Sequence, residues 1–242
     1  MEDNLELVKT SDGSFTFYNP EVDQCYHSRT GAIEEALKKH VLPSEIISLA
    51  KKNKKVVIGD LFFGLGYNSI VAISKIRSEC SDCEIEILAF ENDENILSKI
   101  KNIALPEEYK EAQKEIVSLI ESKYSKSQST KIFKLHKLKS EDGLLKMLLF
   151  IGDARQALKT ISPEILDVVF FDPFSPSKVP ELWSETFLLT VWRKMKLGGV
   201  LTTYSCARMV RENLRKANFV VEDGPVVGRR SPSTIARKEL LK

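Results

Sequence analysis

Long apolar runs are missing from this 242-residue sequence. No stretch approaches the roughly 18 uninterrupted apolar residues of a membrane-spanning helix, so no membrane segment is expected. The start, Met1-Glu2-Asp3-Asn4, is acidic and lacks the basic-then-apolar pattern of a secretory signal, which makes a cytoplasmic location the expectation. Cysteine is scarce, with four residues. Only Cys80 and Cys83 stand at a metal-like spacing, and a tetrahedral zinc site needs two further ligands. The histidines, His27, His40 and His136, are scattered singly, so no metal is expected. Cys80 and Cys83 read as a local disulfide or as two free surface thiols. A strong net charge is also absent, with 36 basic against 34 acidic side chains. Apolar residues at 43% and charged residues at 29% exclude chain-wide disorder.

The charge that is present is unevenly placed. Residues 193–242 carry 12 Lys/Arg against 4 Asp/Glu, and the first 192 residues carry 24 against 30. A basic end on an acidic body fits a phosphate-rich partner, or else a set of solvated helix faces.

Along the chain, strand-like and helix-like segments alternate. Lys54-Lys55 leads into Val56-Val57-Ile58, a glycine turn, and a helical stretch from Asn68 to Arg77. Further strands read at Glu84 to Phe90, within Leu144 to Ile151, at Asp167 to Phe171, and at Gly198 to Tyr204. Ala207 to Ala217 is helical and ends near Asn218. Phe219 to Glu222 and Val226 to Arg230 flank Asp223-Gly224-Pro225 and read as a strand pair. This alternation implies an α/β fold, a mostly parallel sheet with helices on both faces and an antiparallel edge. The length allows one large domain or two small ones. Residues 1–40 read as an extension, a hairpin or arm followed by a helix from Gly31 to His40, and residues 41–242 as the main body. A lysine- and glutamate-rich insertion lies near 101–143. There Glu107 to Tyr124 reads as extra helix and Ser125-Lys126-Ser127-Gln128-Ser129 as an exposed loop.

Four strand ends carry acids. Asp60 precedes the turn Leu61-Phe62-Phe63-Gly64-Leu65-Gly66-Tyr67-Asn68. Gly64 and Gly66 let the backbone approach a ligand, and Asn68 or Ser69 can cap the helix that follows. Asp60 would repel a pyrophosphate and suits a cationic amino-acid tail, unless it is a cap or turn residue. Glu91 follows the next strand, 25 residues after Gly66, where a carboxylate can grip two ribose hydroxyls. Asp153 can accept from an adenine amino group while Ala154 leaves room for the ring. It equally suits a helix N-cap. Asp172 ends the fourth strand in Asp172-Pro173-Phe174-Ser175-Pro176, where the transferred group would sit. Pro173 and Pro176 stiffen that loop. Phe174 offers a face for stacking a base, or else belongs to the core.

Together these positions look like the motif series of class I S-adenosylmethionine methyltransferases. The chain more closely resembles the methyltransferase domain of the bifunctional tRNA-modifying enzyme MnmC and its stand-alone relatives. The matching stretches are Ser11 to Ser14, Glu21 to Arg29, Thr30-Gly31-Ala32, Asp60 to Ser69 and Asp172 to Pro176. They continue with Pro180 to Trp183, Gly198 to Ser205, Arg208 to Phe219, and Gly228-Arg229-Arg230. The loop reads Asp-Pro-Phe, where some relatives have Asp-Gly-Phe.

That resemblance implies a Rossmann-like, seven-stranded, mostly parallel sheet with a small N-terminal extension. It implies S-adenosylmethionine as cofactor, held by Asp60, Gly64, Gly66, Asn68, Glu91, Asp153, Ala154 and Asp172. It implies methylation of 5-aminomethyl-(2-thio)uridine at wobble position 34 of tRNA, the anticodon stem-loop being the partner. Asp172 and Phe174 are the catalytic candidates. Substrate contacts fall to Phe174, Trp183, Arg208, Arg211, Arg215, Arg229 and Arg230, with Trp183 also readable as a buried structural residue and the arginines as a solvated face. The bifunctional enzyme's flavin-dependent domain has no counterpart here, so no FAD is expected and the aminomethyl intermediate would come from another enzyme. A monomer is expected. Two rival readings stay open: methylation of another amine, on a nucleobase or a polyamine, and a non-catalytic scaffold that binds cofactor and tRNA.

Overall fold

The apolar run after Lys55 is buried on both sides. Val56 and Ile58 pack into one hydrophobic cluster, Val57 and Leu61 into another, and the next strand divides in the same way, with Ile85, Ile87 and Ala89 against Leu88 and Phe90. Alternating side chains that are apolar in both directions require helices on both faces of the sheet. The computed structural model describes residues 5–122, 126–130, 133–228 and 230–240, and it has that layered form.

The chain opens with β1 (Glu6–Lys9), β2 (Phe15–Asn19) and β3 (Gln24–Cys25), which form a small antiparallel sheet. Next come α1 (Ala32–Glu35), which continues directly into a π-helical turn at Ala36–Val41, and α2 (Ile46–Asn53). The body runs β4 (Lys55–Leu61), α3 (Tyr67–Glu79), β5 (Glu84–Glu91), α4 (Glu94–Lys99), α5 (Glu107–Glu121), β6 (Lys126–Ser129), β7 (Phe133–Lys139) and β8 (Leu145–Gly152). It ends with α6 (Ala154–Thr160), β9 (Leu166–Phe171), α7 (Glu185–Lys194), β10 (Met195–Thr203), α8 (Arg208–Lys216), β11 (Val220–Val226) and β12 (Pro232–Arg237).

The main sheet has the order β11-β12-β10-β9-β4-β5-β8-β7-β6. Strands β10, β9, β4, β5 and β8 run parallel, and the pairs at both ends are antiparallel. Strand order reverses at β4, with β5 on one side and β9 on the other, so the carboxyl ends of these strands open a crevice. Helices α2, α3 and α5 cover one face and α6, α7 and α8 the other. The N-terminal segment shares the first cluster through Phe17, Ala32, Ala36 and Val41. Tyr67 at the start of α3 donates its hydroxyl to the Phe15 carbonyl at 2.6 Å.

The sheet therefore has nine strands among the described residues, not seven. The two additions, β6 and β7, come from the charged insertion. Lys126–Ser129, expected as loop, is strand, and Ser125 lies outside the described residues. A polar Lys-Ser-Gln-Ser edge strand has the composition of a loop because edges are protected by polarity. The helix expected from Glu107 to Tyr124 is α5 at Glu107–Glu121, ending before Ser122, and Lys123 and Tyr124 lie outside the described residues. The terminal strand pair also differs. β11 continues through Asp223-Gly224-Pro225 to Val226, with a register shift there, and pairs with Pro232–Arg237. An edge strand tolerates proline and a bulge, so Asp-Gly-Pro makes no turn. Cys80 and Cys83 are neither bridged nor on the surface, because both thiols are free and buried.

Candidate active site

The turn after β4 is unusual backbone. Phe62, Gly64 and Gly66 have φ values of 73°, 54° and 72°. The Phe62 and Phe63 amides both donate to the Phe90 carbonyl, at 3.0 and 2.8 Å, which curls the turn over β5. A Cβ on Gly66 would stand 2.8 Å from the Phe63 ring, so that position excludes a side chain. Gly66 precedes α3 without any side-chain cap. Asn68 and Ser69 lie inside the helix and do not cap it. Their side chains instead bond to two of the strand-end acids, Ser69 Oγ donating to Asp60 Oδ2 at 2.6 Å and Asn68 Nδ2 to Asp172 Oδ2 at 3.2 Å.

A cavity of about 530 Å³ opens at the carboxyl ends of the strands. Gly64, Glu91, Asp153, Ala154, Asp172 and Phe174 line it. Three of the four acids thus meet in one crevice. Asp60 does not line it. Its carboxyl lies behind the wall, 1% exposed, with Oδ1 unpartnered among the described residues. Burial, with the charges of Asp172 and Glu91 adding to it, pushes Asp60 up to about 8. Gly66 and Asn68 also stand outside the lining.

Glu91 accepts three backbone N–H bonds, from Gly64 at 2.7 Å, Asn92 at 2.8 Å and Asp93 at 2.9 Å. Burial nonetheless pushes it up to about 7. Asp153 caps α6 through the Arg155 amide at 2.8 Å and also accepts from the Arg155 guanidinium on both oxygens, at Oδ1 from Nε and at Oδ2 from Nε and Nη2. The bond from Arg155 holds its carboxyl below the ordinary range. Asp153 therefore caps α6 and also lines the cavity.

A second cavity of about 510 Å³ adjoins the first, and Tyr26, His27, Asp172, Pro173 and Phe174 line both. The N-terminal sheet supplies most of its far wall, including Tyr18, Gln24 and Cys25. Gln24 Oε1 accepts from the Ser175 amide at 3.0 Å, and Lys178 pairs with Asp23 at 3.1 Å, so the extension is strapped to the Asp172 loop. Burial, followed by the Glu35 charge, pushes Asp172 up to about 6.

Trp183 is not a pocket wall. It is fully buried and lines neither cavity. Its indole Nε1 donates to the Phe174 carbonyl at 2.9 Å, and Tyr204 donates to the Pro173 carbonyl at 3.1 Å. The two bonds hold the proline loop so that Phe174 faces the cavities beside Tyr26, ring centroids 5.2 Å apart.

The arginines divide. Arg208, Arg215 and Arg230 are exposed, with Arg208 paired to Glu212 at 2.7 Å. Arg211, though on the same stretch of helix, turns inward and bonds Thr234 Oγ1, the Ser233 carbonyl and Asp223. It ties α8 to β11 and β12 and is not offered to a partner. Arg229 lies outside the described residues.

His27, His40 and Tyr26 carried no role in the sequence reading. The sequence offers the histidines only as zinc-ligand candidates, and no spacing links residues 27 and 40 to residue 172. Among the described residues no cluster of three or more metal-ligating side chains occurs, and no helix is long and apolar enough to cross a membrane.

A central strand flanked by β5 and β8 on one side and by β9 and β10 on the other, closed by an antiparallel pair, is the class I S-adenosylmethionine methyltransferase fold. Residues 113–239 match the family described as S-adenosyl-L-methionine-dependent methyltransferase. A crystal structure of MnmC2 from Aquifex aeolicus superposes with a TM-score of 0.84 at 32% identity, covering 98% of this chain and 71% of that one. An uncharacterized protein of Methanocaldococcus jannaschii is 32% identical over 96% of this chain and 59% of its own length. The tRNA 5-methylaminomethyl-2-thiouridine biosynthesis bifunctional protein MnmC of Cupriavidus metallidurans is 26% identical over 96% of this chain and 34% of its own. This chain thus spans about three fifths of the first of these curated relatives and about a third of the second. It belongs to the MnmC-type S-adenosyl-L-methionine-dependent methyltransferases.

Proposed function

We propose that this chain methylates the primary amine of 5-aminomethyl-(2-thio)uridine at wobble position 34 of tRNA, giving 5-methylaminomethyl-(2-thio)uridine. The observation that carries the reading is that Asp172 and Phe174 line both of two adjoining cavities, a cofactor-sized crevice and a second one walled by the N-terminal sheet. The name of the Cupriavidus metallidurans relative, a tRNA 5-methylaminomethyl-2-thiouridine biosynthesis protein, supports the choice of amine.

The residues present fit S-adenosylmethionine. The crevice falls within the ~300–1,000 Å³ range of small-molecule sites. Glu91 stands where ribose hydroxyls would be gripped. Asp153 and Ala154 would take the adenine once Arg155 swings aside, and Gly64 presents bare backbone. Asp60 acts from behind, through Ser69, on the placement of α3. When bound, the cofactor supplies a methyl group activated on a sulfonium.

This chain's own work is to position the amine and manage its charge. An alkylamine with a pKa near ~10.4 is neutral in only about one molecule in 10³ at pH 7. Asp172, its side chain 8% exposed and set among His27, His40 and Asn68, orients the amine and stabilises the positive charge that grows on nitrogen. Phe174 stacks on the turned-out base, an arrangement available to anticodon nucleotides in a single-stranded loop. Arg208, Arg215 and Arg230 offer cations to the tRNA backbone.

The test is mass spectrometry of the products when aminomethyl-uridine tRNA, DNA and polyamine pools are each incubated separately with the protein and labelled S-adenosylmethionine. A labelled methylaminomethyl-uridine is expected. Label found only in DNA or polyamine pools would refute the assignment.

A further inference from the structure

Beneath the cavities two imidazoles face one carboxylate oxygen. His40 Nε2 stands 3.6 Å, and His27 Nδ1 3.9 Å, from Asp172 Oδ2. Both ring nitrogens are buried and have no hydrogen-bond partner among the described residues. Unpartnered buried nitrogens are costly, and two of them aimed at the same acid call for a cause.

The two rings differ in access. His40 is fully enclosed, its Nδ1 is 3.3 Å from Thr202 Oγ1, and its ring lies edge-on to Phe170. Burial pushes it down to about 4, so it stays neutral. His27 lines both cavities, with its ring edge-on to Tyr67 at 4.9 Å. Burial lowers it too, while the charges of Asp172, Glu35 and Asp12 raise it and His40 lowers it further. Glu35 is itself engaged with Lys39 at 2.6 Å. Asp60 behind the wall and Asn68 on α3 complete the charged and polar groups around Asp172.

We propose that His27 is the proton exit of the methyl-transfer site, taking from Asp172 the proton that the substrate amine must lose. This rests on Asp172 facing the amine, as argued above. The ammonium gives one proton to Asp172 Oδ2, which passes it to His27 Nδ1, so that the carboxylate is charged again. The nitrogen lone pair then forms the N–C bond while the C–S electron pair goes to sulfur. The product leaves as a secondary ammonium, and one proton per turnover leaves through the cavity that His27 lines. One carboxylate can thereby serve first as proton acceptor and then as the anion beside the growing positive charge. The 3.9 Å separation must shorten to about 3 Å, a tightening usual in loaded sites. His40, enclosed and neutral, stands 3.6 Å from Asp172 on the other side with no way out for a proton.

Two measurements test this. In single-turnover methylation at pH 7, His27→Asn keeps a polar atom near the Nδ1 position but cannot carry the proton. It should lose about 10²-fold in rate, with S-adenosylmethionine affinity changed by less than about threefold. His27→Ala should recover rate with added imidazole, increasingly as pH rises and more imidazole is neutral, a response that a merely structural role would not give. An unchanged rate in His27→Asn, or no rescue in His27→Ala, overturns the proposal. Second, NMR titration of His27 needs no tRNA. In Asp172→Asn it should titrate at lower pH than in the wild type, because the facing negative charge is gone. An unshifted titration overturns the relay, whereas a wild type that leaves aminomethyl-uridine unmethylated overturns the substrate reading.

Discussion

Replacing Asp60 with asparagine should stabilise the ligand-free protein, by an amount that grows with pH. Asp60 is held up to about 8 by burial, against an ordinary value of 3.8. A carboxyl whose folded-state pKa is raised contributes its full stability below the unfolded pKa, near 4, and loses it as pH rises towards 8. Each pH unit in that window drains roughly 1.4 kcal/mol. Between pH 5 and pH 7.5 the wild type should therefore lose about 3 kcal/mol through this group alone. Asparagine has no such proton to hold, and its carbonyl can still accept from Ser69. Asp60→Asn and wild type should differ little near pH 4. By pH 7.5 the variant should be ahead by a further ~3 kcal/mol relative to pH 5, or about 6–12 °C in Tm for a chain of this size. Urea denaturation of the ligand-free protein at several pH values measures this. An offset that is the same at every pH would refute the reasoning, since only a titrating carboxylate makes it pH-dependent.

Other consequences follow from the same contacts. Trp183→Phe removes the donor to the Phe174 carbonyl and should cost about 1–3 kcal/mol of stability. It should slow methylation more than it weakens cofactor binding, and calorimetric titration beside single-turnover kinetics separates the two. Replacing Arg208, Arg215 and Arg230 together with alanine should leave Tm nearly unchanged and reduce the salt dependence of tRNA binding by about 0.7–0.9 in log–log slope per lost phosphate contact. Arg211→Ala should do the reverse, lowering Tm while barely altering that slope, because its guanidinium is spent on Thr234, Ser233 and Asp223.

Much of the fold was legible in the residues because strands buried on both faces are chemically conspicuous. Val56 to Ile58 and Asp167 to Phe171 could hardly be read otherwise. The edge strands were not, since Lys126–Ser129 carries the polarity that keeps an edge from pairing further. At the site, Glu91, Asp153 and Asp172 were legible from their strand-end positions, and they meet in one crevice. Asp60, Asn68 and Trp183 are ligand-contact candidates in the sequence, Asp60 alternatively a cap or turn residue and Trp183 a buried structural one, and in the fold each bonds a neighbour: Asp60 to Ser69, Asn68 to Asp172, and Trp183 to the Phe174 carbonyl. Position along a strand says which end a side chain occupies, not whether it stands in front of the wall or behind it. His27 and His40 reach Asp172 only through the folding of the N-terminal segment over the body, a contact across more than 130 residues that no local spacing records.

Single-turnover methylation of aminomethyl-uridine tRNA by Asp172→Asn, with S-adenosylmethionine binding measured on the same sample, bears most directly on the meeting of two cavities at one acid. The variant is expected to bind cofactor and to lose about 10²-fold or more in methyl transfer. A near-normal rate would mean that Asp172 does not face the amine.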